Sequence, residues 1–339
     1  MSVAAGLLVL ACGSSFAGAD VATGTGAPGG RPDTTSTAAG AAAPPATEPA
    51  AGAGGPPATA PGEDTATARA KAPPDPDAAG DPATATESAS ALNQELVNPV
   101  GGLWSLQSQF NNFRLDNGRW NDNWNFQPTL PISLTGNWNL ITRPVMPLYN
   151  IVPHATSSGE VERTAGLGDL ILAELLSPAQ SGNWFLGAGP TFVFPTATSR
   201  YTGQGKVQMG PAATVGYRTS KYIVGLFPQQ WFSIAGDPGR PDTNQFNLQP
   251  IAAVFFGDGW NFGYYGNILA DWKAPSGEVW TLPIGFNVGK VVRFGSQAVK
   301  FQFSVQYMPV HPDEFGQEWN FQVMVTPIIP KLIKGNLFG

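Results

Sequence analysis

Asparagine and glutamine recur at every second position in several segments of the C-terminal part of the chain. Gln245, Asn247 and Gln249 form one such row, and Gln302 and Gln306 belong to another. An amide group both donates and accepts hydrogen bonds, so a surface of amides suits uncharged polar molecules better than it suits catalysis. The predicted face also includes Asn267, Asn287, Asn320 and Gln322, with charges contributed by Arg143, Asp169, Arg218, Asp271 and Lys300.

Residues that could carry out catalysis are few. His154 and His311 are the two histidines, each next to a proline and outside the predicted strands, and no G-x-S-x-G motif is present. Asp313 and Glu314 follow His311 closely, which fits either a metal site or, more simply, solvated loop charges. The single cysteine, Cys12, excludes an intramolecular disulfide and a multi-cysteine zinc site. We therefore predict a protein that is not an enzyme and uses no metal or cofactor.

The segment Ala298–Met308 indicates how the amides are positioned. Its odd-numbered residues from Val299 to Tyr307 are large and apolar, whereas residues 300, 302, 304 and 306 are Lys, Gln, Ser and Gln. Because successive side chains of a strand point to opposite faces, this pattern predicts a strand between an apolar medium and a polar one. The segment also has about the length that a tilted strand needs to cross a bilayer.

The same pattern predicts twelve strands, at residues 102–114, 122–134, 137–146, 167–176, 184–194, 206–218, 221–233, 244–256, 260–271, 279–291, 298–308 and 318–327. The even-numbered connections are mostly short, such as Thr135-Gly136, and the odd-numbered ones mostly longer, such as Pro147–Gly166 and Pro195–Gly205. Bacterial barrels combine an even strand number with short periplasmic turns and longer external loops. The predicted fold is all-β, a transmembrane antiparallel up-and-down β-barrel of about twelve strands.

Tryptophans mark the ends of many predicted strands. They lie at strand starts (124, 138, 184, 260, 280 and 319) and near strand ends (231 and 272). Aromatic girdles at the two membrane interfaces produce this placement, although a soluble β fold with an aromatic core is the alternative. Seven prolines lie inside predicted strands, and we expect bulges or kinks there: Pro128, Pro131, Pro190, Pro211, Pro228, Pro250 and Pro283.

The N-terminal part of the chain differs in composition from the barrel. Residues 1–19 suit a signal peptide, with an apolar core at Ser2–Ala11 and a cleavage site after Ala19. A lipoprotein signal ending at Cys12 is the alternative. Residues 20–95 are rich in Ala, Pro, Thr and Gly and contain no aromatic residue, so we predict disorder, with residues 96–339 forming the barrel.

Charge follows the same division. Residues 1–95 carry ten acidic and three basic side chains, whereas the remainder of the chain carries 14 acidic and 15 basic ones. The net charge of −6 therefore belongs to the N-terminal part. The barrel has no excess of basic residues, and we predict no nucleic-acid partner.

Several stretches resemble a family of outer-membrane transporters associated with a meta-pathway of phenol degradation and often labelled "neuromedin U". They are Gly166–Leu170, Gly189–Thr198, Gln208–Ala213, Gln229–Asp237, Asn244–Pro250 and Trp280–Gly295. The resemblance covers most of the chain from about residue 98 onward and excludes the Ala/Pro-rich segment. It implies a β-barrel with a transport role and supplies no catalytic residues.

These observations predict a passive outer-membrane channel for small, largely uncharged or aromatic solutes, because the inward face is rich in amides rather than in one sign of charge. The alternative is a closed structural barrel whose amides bond to each other and fill the interior. The expected partners are outer-membrane lipid and a small-molecule solute. We expect the N-terminal segment to lie in the periplasm, as a spacer towards the cell wall.

Overall fold

The computed structural model describes residues 88–313 and 315–338. The predicted signal peptide and residues 20–87 of the predicted disordered segment lie outside the described residues. The chain elements are α1 (Ala89–Val97), β1 (Trp104–Leu115), β2 (Trp120–Ser133), β3 (Trp138–Ala155), β4 (Val161–Gly166), β5 (Leu170–Pro178), β6 (Trp184–Phe194), β7 (Lys206–Arg218), β8 (Tyr222–Gly236), β9 (Asn244–Phe256), β10 (Trp260–Tyr264), β11 (Ile268–Asp271), β12 (Trp280–Phe294), β13 (Gln297–Val310) and β14 (Gln317–Ile329).

The strands form one closed antiparallel barrel. Each strand pairs with its neighbour in sequence, and β14 pairs with β1 to close the ring. Two barrel strands are each made of two segments: β4 and β5 both pair with β3, and β10 and β11 both lie between β9 and β12. The fourteen segments therefore make twelve barrel strands, and the predicted fold class is confirmed.

The two faces of β13 divide as the sequence predicts. Phe301 and Phe303 are exposed on the outside, whereas Lys300 and Gln302 are buried on the inside. The same division along the other strands gives an outer surface of exposed aromatic and aliphatic side chains. Six tryptophans of the predicted girdles are among them: Trp124, Trp138, Trp184, Trp260, Trp272 and Trp280. An apolar outside and a polar inside are what a barrel in a bilayer requires.

Among the described residues, the helix is not long and apolar enough to cross a membrane.

Two ends of the barrel can be distinguished by their connections. The turn end carries the short connections at residues 134–137, 179–183, 219–221, 257–259 and 295–296. The loop end carries the others, of which 195–205 is the longest. The predicted loop Pro147–Gly166 is wrong, because β3 continues to Ala155 and forms a hairpin with β4. A bulge between Trp124 and Asn125 of β2 shifts the pairing there and interrupted the alternation on which the prediction relied.

The prolines inside the strands lie mostly where ladder pairs are skipped. Pairing of β2 with β3 passes from Phe126 and Met146 directly to Leu130 and Thr142, which leaves out Pro128. Pairing of β7 with β8 similarly skips Pro211 and Pro228. A proline has no N–H to donate, so placing it at a gap avoids the loss of a ladder hydrogen bond. The expected bulges and kinks are therefore largely found.

The helix α1 corrects one prediction, because residues 89–95 were assigned to the disordered segment. The side chain of Ser88 caps the helix by accepting a hydrogen bond from the Ala91 N–H at 3.1 Å. Leu92 is fully buried and packs with Val291, Ala298 and Ile328 on the inner face of β12, β13 and β14. A helix therefore precedes the barrel and packs against its inner wall at the turn end.

Candidate functional site

The interior of the barrel, here called the lumen, has one wall made largely of amides. This amide wall is formed by inward side chains of β13, β14, β1, β2 and the loop-end half of β3. Its members are Gln107, Gln109, Asn111, Asn121, Asn123, Asn125, Gln127, Asn150, Gln302, Ser304, Gln306, Asn320 and Gln322, most of them less than 8 % exposed. Burial on this scale is tolerated only when polar groups are hydrogen-bonded.

Asn111 lies at the centre of the amide wall. Its side-chain oxygen accepts hydrogen bonds from Gln109 at 3.1 Å and Gln322 at 2.7 Å, and its amide nitrogen donates to Asn123 at 2.8 Å. Further bonds run from Asn123 to Asn150 and from Ser304 to Gln322. The amides therefore bond to each other across five adjacent strands and hold the wall in one arrangement.

The opposite wall is apolar. This apolar wall is formed by buried side chains of β3, β5, β6, β7, β8 and β9: Ile141, Ala173, Leu175, Phe185, Ala212, Ile223, Phe227, Ile251, Ala253 and Phe255. Val97 and Val100, from the segment around the end of α1, pack against it inside the lumen. The lumen consequently presents hydrogen-bonding groups on one side and aliphatic and aromatic groups on the other.

Helix α1 closes the turn end of the lumen. The Asn93 side chain donates to the Gly259 carbonyl at 2.8 Å and to the Asn261 side chain at 3.0 Å, and Gln94 donates to the Ser220 carbonyl at 2.9 Å. Glu95 forms an ion pair with Arg218. These contacts fix α1 to two turns and to the inner wall, so it lies in the mouth of the barrel.

An apolar layer narrows the lumen nearer the loop end. Trp231 is 1 % exposed and packs in a cluster with Val145, Ile171, Val193 and Leu269, contributed by strands from β3 round to β11. Its indole N–H donates to the Thr191 hydroxyl at 3.0 Å. The prediction that Trp231 belongs to an interfacial girdle is therefore wrong, since its side chain fills the interior.

Two cavities remain in the lumen between α1 and the Trp231 layer. The larger, here called the lower cavity, has a volume of about 110 Å³ and is lined by α1, the residues after it and inward side chains of both walls. The smaller measures about 20 Å³ and is lined by Trp231 and Asn247 among others. Gln107, Gln127 and Arg143 line both. In this arrangement the lumen is closed to solutes.

The loop end is held together by a buried carboxylate. Asp169, in the break between β4 and β5, accepts hydrogen bonds from the backbone N–H groups of Ala197 at 3.1 Å and Gln204 at 2.6 Å. Arg240 donates to the carbonyls of Gln204 and Gly203 in the same loop. Burial raises the pKa of Asp169 above its ordinary value, and the two N–H groups and Arg240 oppose that shift.

The structure brings most of the predicted lining residues to the lumen. Nine of them are buried on the inner side: Gln245, Asn247, Asn267, Asn287, Lys300, Gln302, Gln306, Asn320 and Gln322. Gln249 and Arg143 line the lower cavity, Arg218 pairs with α1, and Asp271 is half-buried at the end of β11. Asp169 instead fixes loop 195–205. Whether these residues line a conducting pore stays a prediction.

Sequence reasoning missed two parts of the lumen. The amides of β1 were not named because that strand showed weak alternation, although Gln107, Gln109 and Asn111 do recur at every second position. The apolar wall was missed because β6 and β8 carry large apolar residues on both faces. Trp231 shares its parity with Gln229, and that signal would have placed it inside.

The histidines are engaged in structural contacts. His154 lies on β3 rather than in a loop, stacks on Tyr201 and has its Nε2 2.8 Å from the Thr164 hydroxyl. His311 Nδ1 lies 2.8 Å from the Pro312 carbonyl oxygen. Within residues 88–313 and 315–338, no group of three or more His, Cys, Asp or Glu side chains could hold a metal ion. Glu314 lies outside the described residues.

Comparison with known proteins adds three structural likenesses. No family model and no curated protein matches the chain. An outer-membrane channel from Pseudomonas putida F1, described as COG4313, is 15 % identical with a TM-score of 0.49, covering 67 % of this chain and 96 % of that one. The NanC porin is 7 % identical with a TM-score of 0.43, covering 67 % and 98 %. A FadL homologue from Pseudomonas aeruginosa is 8 % identical with a TM-score of 0.34, covering 69 % and 93 %. At these values the likeness assigns neither a family nor a solute.

Proposed function

We propose that this protein is a passive channel of the bacterial outer membrane for small, largely uncharged or aromatic solutes, held closed by α1. The observation that carries the proposal is the two-sided lumen. Amides on one wall can exchange hydrogen bonds with a neutral polar group, and the apolar wall can contact an aromatic ring or an alkyl chain. A lumen without a dominant charge of one sign favours uncharged solutes over ions.

The orientation of the barrel follows from its connections. Short turns lie on the periplasmic side of bacterial barrels, so the turn end and α1 face the periplasm in this proposal. Residues before Ser88 then begin on the periplasmic side, where a spacer role towards the cell wall would place them. The proposed family relationship to phenol-associated transporters rests on the sequence stretches given above, and the apolar wall is compatible with an aromatic solute.

Release of α1 tests the channel. Leu92→Asp places a charge in the apolar seat formed by Val291, Ala298 and Ile328, and burying an unpaired carboxylate costs several kcal/mol. That exceeds the roughly 1.4 kcal/mol needed for a tenfold shift towards the released helix. We expect at least a tenfold rise in planar-bilayer conductance and in liposome uptake of small neutral sugars. Ala91→Asp is the matched control, because Ala91 is exposed on the same helix, and it should behave like the parent.

A closed structural barrel is the second candidate. Its supporting observation is that the amides bond to each other and that the Trp231 layer leaves cavities of only about 110 and 20 Å³. Under this candidate the Leu92→Asp variant inserts into bilayers, migrates as a folded barrel on unheated gels and still conducts nothing. The same bilayer experiment therefore separates the two candidates.

A further inference from the structure

We propose that the lower cavity is a binding site for a short-chain monocarboxylate, with Lys300 as the residue that binds the carboxylate group. The inference concerns binding alone. It holds for a conducting channel and for a closed barrel, and so does not depend on the function proposed above.

Lys300 is a buried cation without a protein counter-charge. It lies on the inner face of β13, is 4 % exposed and lines the lower cavity. Among residues 88–313 and 315–338, no side chain or carbonyl makes a hydrogen bond or an ion pair with its ammonium group. Lys206 and Lys290, in contrast, each pair with an aspartate, at 3.1 and 2.9 Å. An uncompensated buried ammonium is costly, and a bound anion would remove that cost.

The backbone beside Lys300 leaves room for its side chain. Gly289 faces it from β12, where it is one of two residues between Asn287 and Val291 on the inner face. A β-carbon at Gly289 would lie 3.0 Å from the Lys300 Cε atom, which is closer than nearly all real contacts. The glycine therefore permits the lysine to extend past its own strand pair into the lower cavity.

The remaining charges around the cavity favour one negative charge on the ligand. Glu95 lines the cavity, but its carboxylate already pairs with Arg218 and accepts a hydrogen bond from the Gly102 N–H at 3.2 Å. Arg143 lines the cavity from β3, donating to the Pro99 carbonyl at 2.9 Å and lying over the Phe227 ring. Two cations thus face the cavity, and its single lining carboxylate is neutralised by a third cation.

The size of the cavity limits the ligand to a few heavy atoms. A cavity of about 150 Å³ is known to hold benzene, so about 110 Å³ is too small for an aromatic acid without rearrangement. Acetate, propionate and pyruvate are of suitable size. The apolar lining residues Val97, Ile251 and Met324 can contact the methyl end, while Gln302 lies on the same strand face as Lys300 and can donate to the carboxylate.

The experiment compares propionate with its neutral isostere propionamide, using the full chain in detergent micelles and ligand-observed saturation-transfer NMR. A carboxylate that pairs with a buried ammonium should bind at least about tenfold more tightly than the amide. Lys300→Met should abolish that preference. Lys290→Met is the matched control, because Lys290 lies on the adjacent strand and points outward over Trp260, and it should leave both affinities within twofold.

Two results would overturn the site: equal binding of propionate and propionamide to the unmodified protein, or an undiminished preference in Lys300→Met. The first needs no variant and so does not depend on whether the mutant folds. Removing an unpaired buried charge should itself favour folding. Lysine-dependent binding in a protein that never conducts would end the channel proposal and leave the carboxylate site in place.

Discussion

The amide wall and the apolar wall are built on the same backbone and held by opposite means. Asn111 is fixed by three amide partners from three strands, and each partner is fixed in turn by others. Phe185 and Phe227 are fixed by packing alone against neighbours such as Ile141 and Leu175. A hydrogen-bonded wall has one satisfied arrangement, whereas an apolar wall can repack around a passing solute. We infer that the amide wall is the rigid side of the lumen and the apolar wall its adaptable side.

The comparison also explains where a solute could pass. Solute transfer along the amide wall must exchange one hydrogen bond for another, which keeps the energy nearly level for a polar group. Transfer along the apolar wall requires movement of the Trp231 layer. Substitutions on each wall, paired with an outward-facing neighbour on the same strand, distinguish these two forms of stabilisation.

The largest effect is expected at Trp231. Trp231→Ala removes a fully buried side chain from the apolar layer and should lower the free energy of unfolding by about 3–5 kcal/mol. Phe232→Ala is the matched control, because Phe232 follows directly on β8 and is 45 % exposed on the outer face, where lipid can refill the space. Urea unfolding in lipid vesicles measures both. Equal losses for the two variants would mean that Trp231 is not a packing centre of the lumen.

An intermediate effect is expected at Asn111. Asn111→Leu leaves the amide donors of Gln109 and Gln322 and the acceptor of Asn123 without this partner, which should cost about 2 kcal/mol. Asn112→Leu changes the next residue, which is exposed and bonds only to Asp122, and should cost under about 1 kcal/mol. If Asn111→Leu is as well tolerated as Asn112→Leu, the amide wall contributes no specific stability.

The smallest effect is a pH dependence at the loop end of the apolar wall. The raised pKa of Asp169 means that the folded chain holds its proton more tightly than the unfolded chain. The stability from this group is therefore complete below the ordinary aspartate pKa of about 3.9 and is lost as pH rises through the raised value. Asp169→Asn cannot titrate, so the Tm of the parent should fall relative to that of the variant between pH 3 and pH 8. A relative rise of the parent over this range would contradict the assignment.

The barrel could be predicted from sequence where its two faces differ in polarity. Three predicted strands, 184–194, 206–218 and 244–256, agree with the structure at both ends. Lys300 and the amides of β13 and β14 were placed inside correctly because each alternates with an outward aromatic residue. The period of two carries this information directly, since it reports the medium on each side of the strand.

Prediction failed where a residue's surroundings are set by distant parts of the chain. The Ala-rich composition before residue 95 concealed α1, although Leu92 and Leu96 have helical spacing, because average composition does not record which residues meet a buried partner. The layer around Trp231 joins strands separated by more than 120 residues, from Val145 to Leu269. No local pattern encodes such a contact. The ion pair of Glu95 with Arg218 is of the same kind.

The short connection between α1 and β1 gives the helix a property that a separate protein could not have. Only residues 98–103 lie between them, so a released helix stays within about 20 Å of the barrel rim. A ligand tethered this closely experiences an effective concentration on the order of millimolar. A free peptide copy of α1 would have to reach such a concentration to compete for the seat. Closure is therefore an intramolecular equilibrium, independent of how many copies of the protein the membrane contains and rapidly restored after each opening.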